Sequence, residues 1–327
     1  MPKHPHLSNP IIGLGCMNLS HAYGTPLSED EGIAALHAAF EMGYRHFDTA
    51  TLYGAGKNEL LVGKALHDRR DEFFLASKCG MEMENGKRVI NGRPENLRRQ
   101  CENSLKRLQT DHIDLYYLHR MDPDVPIEES VGALGDLVKE GKIGGIGLSE
   151  VSAEIVERAH KESPLTALQT EYSLWTRNPE IAVLATTKAL DITFVAFSPV
   201  ARGYLCGELT DVAKLEENDI RRTMPRFSAE NYPKNMDLLQ DFLLMAKDIG
   251  CTPAQLALAW TRTKEEHIVP IPGTRSISHM RDNLSAGTLT LDQKQMTALD
   301  EMINQGKAFG ARYNAAQQAD VSTEEFA

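Results

Sequence analysis

The chain has 327 residues, of which 42% are apolar and 25% charged, and a net charge of −11. This composition excludes collagen, coiled coil and a mainly disordered chain, and the lack of any basic cluster argues against a nucleic-acid partner. No apolar run approaches the ~20 residues of a membrane span, and the opening MPKHPHLSNP lacks the apolar core of a secretory signal.

The five cysteines, Cys16, Cys79, Cys101, Cys206 and Cys251, include no C-x-x-C pair, which reads as reduced thiols in a cytoplasmic protein, with no disulfide frame and no zinc site. In chain order, the apolar run IIGLGCM (11–17) predicts a first short strand. A helix follows over DEGIAALHAAFEMG, where Ile33, Leu36, Ala39 and Phe40 recur at helical spacing behind the acids Glu29 and Asp30. YRHFDTA and EFFLASK predict strands on either side of the helix NELLVGKALHD. RPENLRRQCENSLKRLQ predicts a helix with Pro94 in its first turn, where a missing N–H costs little. DLYYLH then predicts a strand, PIEESVGALGDLVKEGK a helix ending at Gly141, IGGIGLS a strand, and SAEIVERAHKES a helix capped by Ser152. The alternation continues through TALQTEY, NPEIAVLATTKAL, ITFVAFS, TPAQLALAWTRTK with Thr252 as its cap, HIVPIPG and SISHMRDNLSA.

Eight strand-then-helix units in one run imply a parallel sheet, and eight closing on themselves make an α/β fold of the (β/α)8 TIM-barrel type. The strands are near-continuous apolar runs, as expected of strands buried on both faces. No G-x-G-x-x-G follows the first strand, which argues against a doubly wound sheet with a phosphate-binding turn. No linker interrupts the pattern, so a single domain over residues 1–327 is expected. Surplus length falls in the loop 201–234 after the seventh strand, in the helix NMDLLQDFLLMAKDIG, and in a tail carrying LTLDQKQMTALDEM. A loop of this size suggests a lid, with Arg221, Arg222 and Arg226 as its cations.

Barrel chemistry sits at the C-terminal ends of the strands. Strand two ends in Asp48 and its loop carries Tyr53; strand three ends in Lys78, strand four in His119, strand five in Ser149; strand six presents Gln169, and strand seven ends in Phe197–Ser198–Pro199. A lysine there needs a counter-ion, which Asp48 supplies. A cation beside a phenol is expected to lower its pKa from about 10, making Tyr53 a general acid near neutral pH. His119 is suited to orient a carbonyl oxygen. Such a set protonates an oxygen while an external nucleophile, such as a hydride, attacks the carbon.

The residues that carry this pattern resemble the aldo-keto reductase family: FDTA-x-x-YG with Asp48 and Tyr53, LASK with Lys78, and DLYYLH with His119. The resemblance continues through IGLS, ALQTEYSLW, AFSPVARGYL, PRFSAEN and VPIPGTR, from about Gly13 to Asn283. It is nearest to the branch with bacterial and plant general reductases and pyridoxal reductases. It implies a TIM barrel that binds NADPH, with NADH also admissible, and reduces aldehydes or ketones to alcohols, with Tyr53 as proton donor, Lys78 and Asp48 tuning it, and His119 orienting a small carbonyl substrate. It places the cofactor against Cys16 and Met17, against Ser149 and Gln169 at the carboxamide, and against Phe197 at the nicotinamide face. Ser198, Pro199, Val200 and Gly203 fall at the pyrophosphate, Gly273, Thr274, Arg275, Ser276 and His279 at the 2′-phosphate, and Asp282 and Asn283 at the adenine. Met17, Tyr53, His119 and Trp175 are the candidate substrate walls. Two positions depart from the family: Glu150 stands where many members carry Asn, and His279 where many carry Arg.

Two other functions are compatible with the residues. One is a cofactor-binding regulatory protein like a channel beta subunit, with slow turnover. The other is a Schiff-base aldolase using Lys78, although an ion-paired lysine is a poor nucleophile. No metal site is expected, since no close ligand pair stands at a strand end.

Overall fold

In a computed structural model of the protein, Leu7 and residues 12–326 are described. Ile11 of the first apolar run and most of the opening decapeptide lie outside the described residues. The strands are β1 (Leu14–Gly15), β2 (His46–Asp48), β3 (Phe74–Cys79), β4 (Met81–Glu84), β5 (Lys87–Ile90), β6 (Leu115–Leu118), β7 (Ile146–Ser149), β8 (Leu165–Glu171), β9 (Thr193–Phe197) and β10 (Ile268–Ile271). Eight of them form one parallel sheet in the order β1-β2-β3-β6-β7-β8-β9-β10.

The two ends of this sheet meet. Gly13 and Gly15 donate N–H bonds of 3.0 and 3.1 Å to the carbonyls of Pro270 and Pro272, and Gly15 bridges Gly273. Glycine is needed at this seam because a Cβ on Gly15 would lie 2.9 Å from the Ile271 carbonyl oxygen. The result is the (β/α)8 barrel expected from the strand-helix alternation.

Helices separate the strands: Glu29–Met42, Lys57–Leu66, Pro94–Leu108, Ile127–Lys139, Ala153–Glu162, Val183–Ala189, Pro253–Lys264 and Ile277–Ser285. Their ends follow local chemistry. Ser28 and Glu31 form a capping box at the first helix, Gly43 closes it at φ 108°, Ser152 caps its helix, and Thr252 and Gln255 form a second box. Further helices span Tyr232–Ile249 and Gln293–Met302.

The pleat sorts the strand side chains. Phe74, Ala76, Leu115, Tyr117, Ala167, Val195 and Ile271 fill the barrel with Leu7, while Leu75, Cys79, Tyr116 and Leu168 face the helices. Continuing each inward row one step brings Lys78, His119, Gln169 and Phe197 to the C-terminal mouth.

Three excursions build walls above that mouth. The first, unforeseen from the sequence, is the antiparallel hairpin β4–β5, whose turn residues Asn85 and Gly86 have φ of 49° and 76°, the left-handed pair favoured in two-residue hairpin turns. The second is the loop after β9. It crosses to the β1 side, where Ile220 donates to the Ala22 carbonyl at 3.0 Å, Asn218 to the Gly24 carbonyl at 3.3 Å, and Glu216 accepts from the Thr25 N–H at 2.8 Å. The third is the tail from Arg312 to Asp320, which returns over the mouth.

Candidate active site

Lys78 is fully buried, and its ammonium has three partners. It is ion-paired with Asp48, donates to the Thr49 carbonyl at 2.9 Å, and donates to the Tyr53 hydroxyl at 3.3 Å. Burial alone would push this ammonium down, but the Asp48 carboxylate and Tyr53 outweigh it and hold Lys78 above its ordinary value. The other Asp48 oxygen accepts from the Gln169 amide at 2.8 Å. Tyr53 opens the turn after β2, with its ring edge-on to His119 at 5.8 Å between centroids.

The tyrosine corrects one expectation. Its pKa lies above the ordinary phenol value, because burial and the Asp48 charge outweigh the opposing pull of Lys78. The lysine charge is already matched by Asp48, so it cannot draw the proton off. Tyr53 is therefore a protonated phenol at neutral pH. Since its oxygen accepts from Lys78, its own hydrogen is left for a group in the cleft.

His119 is held well below the ordinary imidazole range by burial, with the charges of Arg120 and Lys78 adding to the effect, so the ring is neutral. Its Nδ1 is buried and has no partner among the described residues. Arg120, next in the chain, donates from Nη1 to the His119 carbonyl at 2.6 Å and to Ser149 Oγ at 3.2 Å.

These groups form one end of a cleft of about 800 Å³. Met17, Asp48, Tyr53, His119, Ser149 and Gln169 line it around the barrel mouth. Phe197, Ser198, Pro199, Val200 and Gly203 line its middle, and Gly273, Thr274, Arg275, Ser276, His279, Asp282 and Asn283 its far end. Ser198, Ala201 and Arg202 adopt φ of 49°, 51° and 57°, a strained course that costs of order 1 kcal/mol each and keeps the backbone along the cleft. At the far end, Ser276 caps the helix Ile277–Ser285, accepting from the His279 N–H at 3.4 Å, so the positive end of a helix dipole opens there. Arg275 donates to the Thr25 carbonyl, and His279 lies 3.5 Å from Glu208. A polar end at Ser149 and Gln169, an aromatic face at Phe197, and a helix N-terminus with Arg275 at the far end form on one cleft a donor set that fits a phosphorylated dinucleotide.

Several sequence expectations land elsewhere. Cys16 does not line the cleft: its thiol lies in the outer core, 3.6 Å from the Leu14 carbonyl. Trp175 is no substrate wall; it is buried behind the mouth, with ring centroids 3.9 Å from Tyr204 and 5.4 Å from Phe227. Arg226 is not a lid cation, being buried and donating to the Trp175 carbonyl at 2.5 Å and to Thr176 Oγ1 at 2.9 Å. Arg222 donates to the Leu215 carbonyl at 2.8 Å, whereas Arg221 does line the cleft, paired with Asp219 at 2.7 Å. Glu150 points away from the cleft. It pairs with Arg312 and accepts from the Glu171 N–H at 2.8 Å. Glu171 in turn pairs with Arg202 at 2.7 Å, so this buried network joins β8, the loop after β9 and the tail.

The wall has further residues that the strand-end pattern does not point to: His21 and Tyr23 from the loop after β1, Met81 and Arg88 from the hairpin, and Tyr313, Gln317 and Asp320 from the tail. The dipeptide Asn85–Gly86 between MEME and KRVI was a legible hairpin signal; the tail carried none.

A barrel with a buried Asp48–Lys78 pair hydrogen-bonded to Tyr53, and a dinucleotide-sized cleft beside it, fits a carbonyl-reducing type of oxidoreductase. Residues 11–304 match the model of the aldo/keto reductase family, and the chain belongs to that family. It is 44% identical over 304 residues to "Probable aldo-keto reductase 1" of Glycine max, covering 92% of this chain and 88% of that one. Among solved structures it is similar to the glycerol dehydrogenase of Gluconobacter oxydans, with TM-score 0.81, 27% identity, and 89% and 90% of the two chains covered. An aldo/keto reductase of Klebsiella pneumoniae in complex with NADP and acetate aligns at TM-score 0.70 and 28% identity, covering 96% and 95%.

Proposed function

We propose that the protein reduces aldehydes or ketones to alcohols with NADPH, Tyr53 giving the proton. The observation that carries this reading is the Tyr53 hydroxyl at 3.3 Å from the buried Lys78 ammonium, facing the same cleft as His119. Ser149 and Gln169 would hold the carboxamide of the cofactor, Phe197 its ring, the 198–203 turn its pyrophosphate, and Arg275, Ser276 and the helix N-terminus its 2′-phosphate. When bound, NADPH supplies the hydride.

The chain's own residues do the rest. The carbonyl oxygen lies between Tyr53 and His119, and the neutral imidazole donates to it and fixes its direction. As negative charge grows on that oxygen, the Tyr53 hydrogen passes to it. The phenolate left behind is stabilised by the Lys78 hydrogen bond, and Asp48 keeps the lysine in place. The loop after β9 and the tail exclude water from above. The ion-paired, protonated state of Lys78 argues against a Schiff-base role. The test is NADPH absorbance followed against a panel of aldehydes, ketones and pyridoxal. Steady turnover supports a reductase, and its absence across the panel with intact NADPH binding favours a regulatory protein.

A further inference from the structure

Five arginines line the cleft: Arg88, Arg120, Arg202, Arg221 and Arg275. Three are matched by acids, Arg88 by Asp320, Arg202 by Glu171 and Arg221 by Asp219. Arg275 and Arg120 have no carboxylate partner among the described residues. Arg275 stands at the far end, where the reading above puts the 2′-phosphate. Arg120 follows β6, across the barrel from β9 and β10, too far round the mouth to serve the same phosphates. In a chain with 46 acidic and 35 basic residues, an unmatched guanidinium in a cavity wall calls for a ligand.

We propose that the substrate carries a carboxylate besides the carbonyl that is reduced, and that Arg120 reads it. The inference rests on the reductase reading. Among the described residues Arg120 donates from Nη1 alone, to the His119 carbonyl and Ser149 Oγ. Its Nε and Nη2 hydrogens form the two-pronged edge that matches a carboxylate. Arg120 follows His119 in the chain, bonds its carbonyl, and lines the same cleft as Tyr53, so one molecule in that cleft can meet the proton donor and Arg120 together. The same cleft wall includes the apolar side chains of Leu52 and Met81, suited to a carbon skeleton. Arg88 adds no net charge, being matched by Asp320. With Arg120 the one guanidinium at this end of the cleft without a carboxylate partner among the described residues, the site suits a monoanion better than a phosphate dianion.

The experiment compares 4-carboxybenzaldehyde and 4-oxobutanoate with their methyl esters, which keep the length and lose the charge. In wild type, kcat/KM should favour the acid of at least one pair by about 10- to 100-fold. In Arg120→Leu that acid-to-ester ratio should fall to near one, mainly through KM, whatever happens to the ester itself, and Arg120→Lys should restore part of it. Ratios near one for both pairs in wild type, or acid and ester falling in parallel in Arg120→Leu, would overturn the proposal and leave Arg120 a support for Ser149. A larger gain for pyridoxal 5′-phosphate over pyridoxal than for either acid would overturn the choice of carboxylate. If no aldehyde is turned over, the reductase reading fails first. Calorimetry with benzoate on the NADP-loaded protein then decides the anion site: binding lost in Arg120→Leu supports it, and no binding or unchanged binding sinks it.

Discussion

Replacing Tyr53 by Phe takes one oxygen from the floor of the cleft and disturbs little else. Lys78 keeps its Asp48 pair and its 2.9 Å bond to the Thr49 carbonyl, so the cation stays satisfied. The ring contacts with His119 and His21, at 5.8 and 6.3 Å between centroids, do not involve the hydroxyl. The stability change should therefore stay near the ~1 kcal/mol of one hydrogen bond. The chemical loss is larger. A positioned general acid is worth about 10²- to 10⁴-fold, or roughly 3–5 kcal/mol of barrier. Stopped-flow reduction at neutral pH should show kcat falling at least about 100-fold, with the NADPH dissociation constant within about twofold of wild type. The pH profile adds a second check. The acid must be protonated to act, and burial holds the Tyr53 pKa above the ordinary phenol value. Wild-type kcat for reduction should thus stay level from neutrality to about pH 9 and fall only beyond the usual phenol range. A Tyr53→Phe variant with near-normal kcat would refute the proton-donor assignment. A wild-type rate that drops between pH 7 and 9 would refute the loaded phenol.

Arg275 is partly exposed and tied to the Thr25 carbonyl, so Arg275→Ala should weaken NADPH roughly tenfold and NADH hardly at all; equal weakening in titrations of both cofactors would remove Arg275 as the 2′-phosphate contact. Gly15→Ala puts a Cβ 2.9 Å from the Ile271 carbonyl oxygen at the barrel seam, and urea unfolding should show a loss of about 1–3 kcal/mol; an unchanged midpoint would mean that the seam yields freely. For Glu171, burial raises the pKa, but the charges of Arg202, Arg312 and Arg226 prevail and hold it below 4.5. Its stabilisation is complete above the unfolded-state value and is lost as pH falls through the folded one. The stability advantage of wild type over Glu171→Gln should therefore shrink on acidification below about pH 5, and a constant gap would contradict the network's charge balance.

The barrel was legible because each unit ends in a local signal. Ser152, Thr252 and Pro94 mark helix starts that the structure reproduces, and inward rows such as Phe74–Ala76–Lys78 follow from the strand pleat alone. The mouth residues Asp48, Lys78 and His119 could be placed together for the same reason. What the sequence hid depends on long-range packing. Trp175 looks like a pocket wall until Tyr204 and Phe227 cover it, and Arg226 looks like a surface cation until its bonds to Trp175 and Thr176 bury it. The direction of the Tyr53 pKa is not legible in the sequence because it depends on a balance: the sequence displays the lysine, but not the depth of burial that outweighs it. Glu150 could not be matched to Arg312 without the fold, since nothing periodic relates them.

That last pair has a bearing on how the chain is made. Glu150 and Arg312 are 162 positions apart. At ordinary elongation rates, roughly 8–30 s separate their emergence from the ribosome. Glu171 finds Arg202 after only 31 further residues, but Glu150 has no cation of its own until the tail arrives. A carboxylate sealed in without its partner costs several kcal/mol, so the growing chain has reason to leave the Glu150 end of β7 open to water. The segment carrying Arg312 is then the piece that locks that side of the barrel. A chain truncated shortly before Arg312 would carry all eight barrel strands and leave this face unsealed.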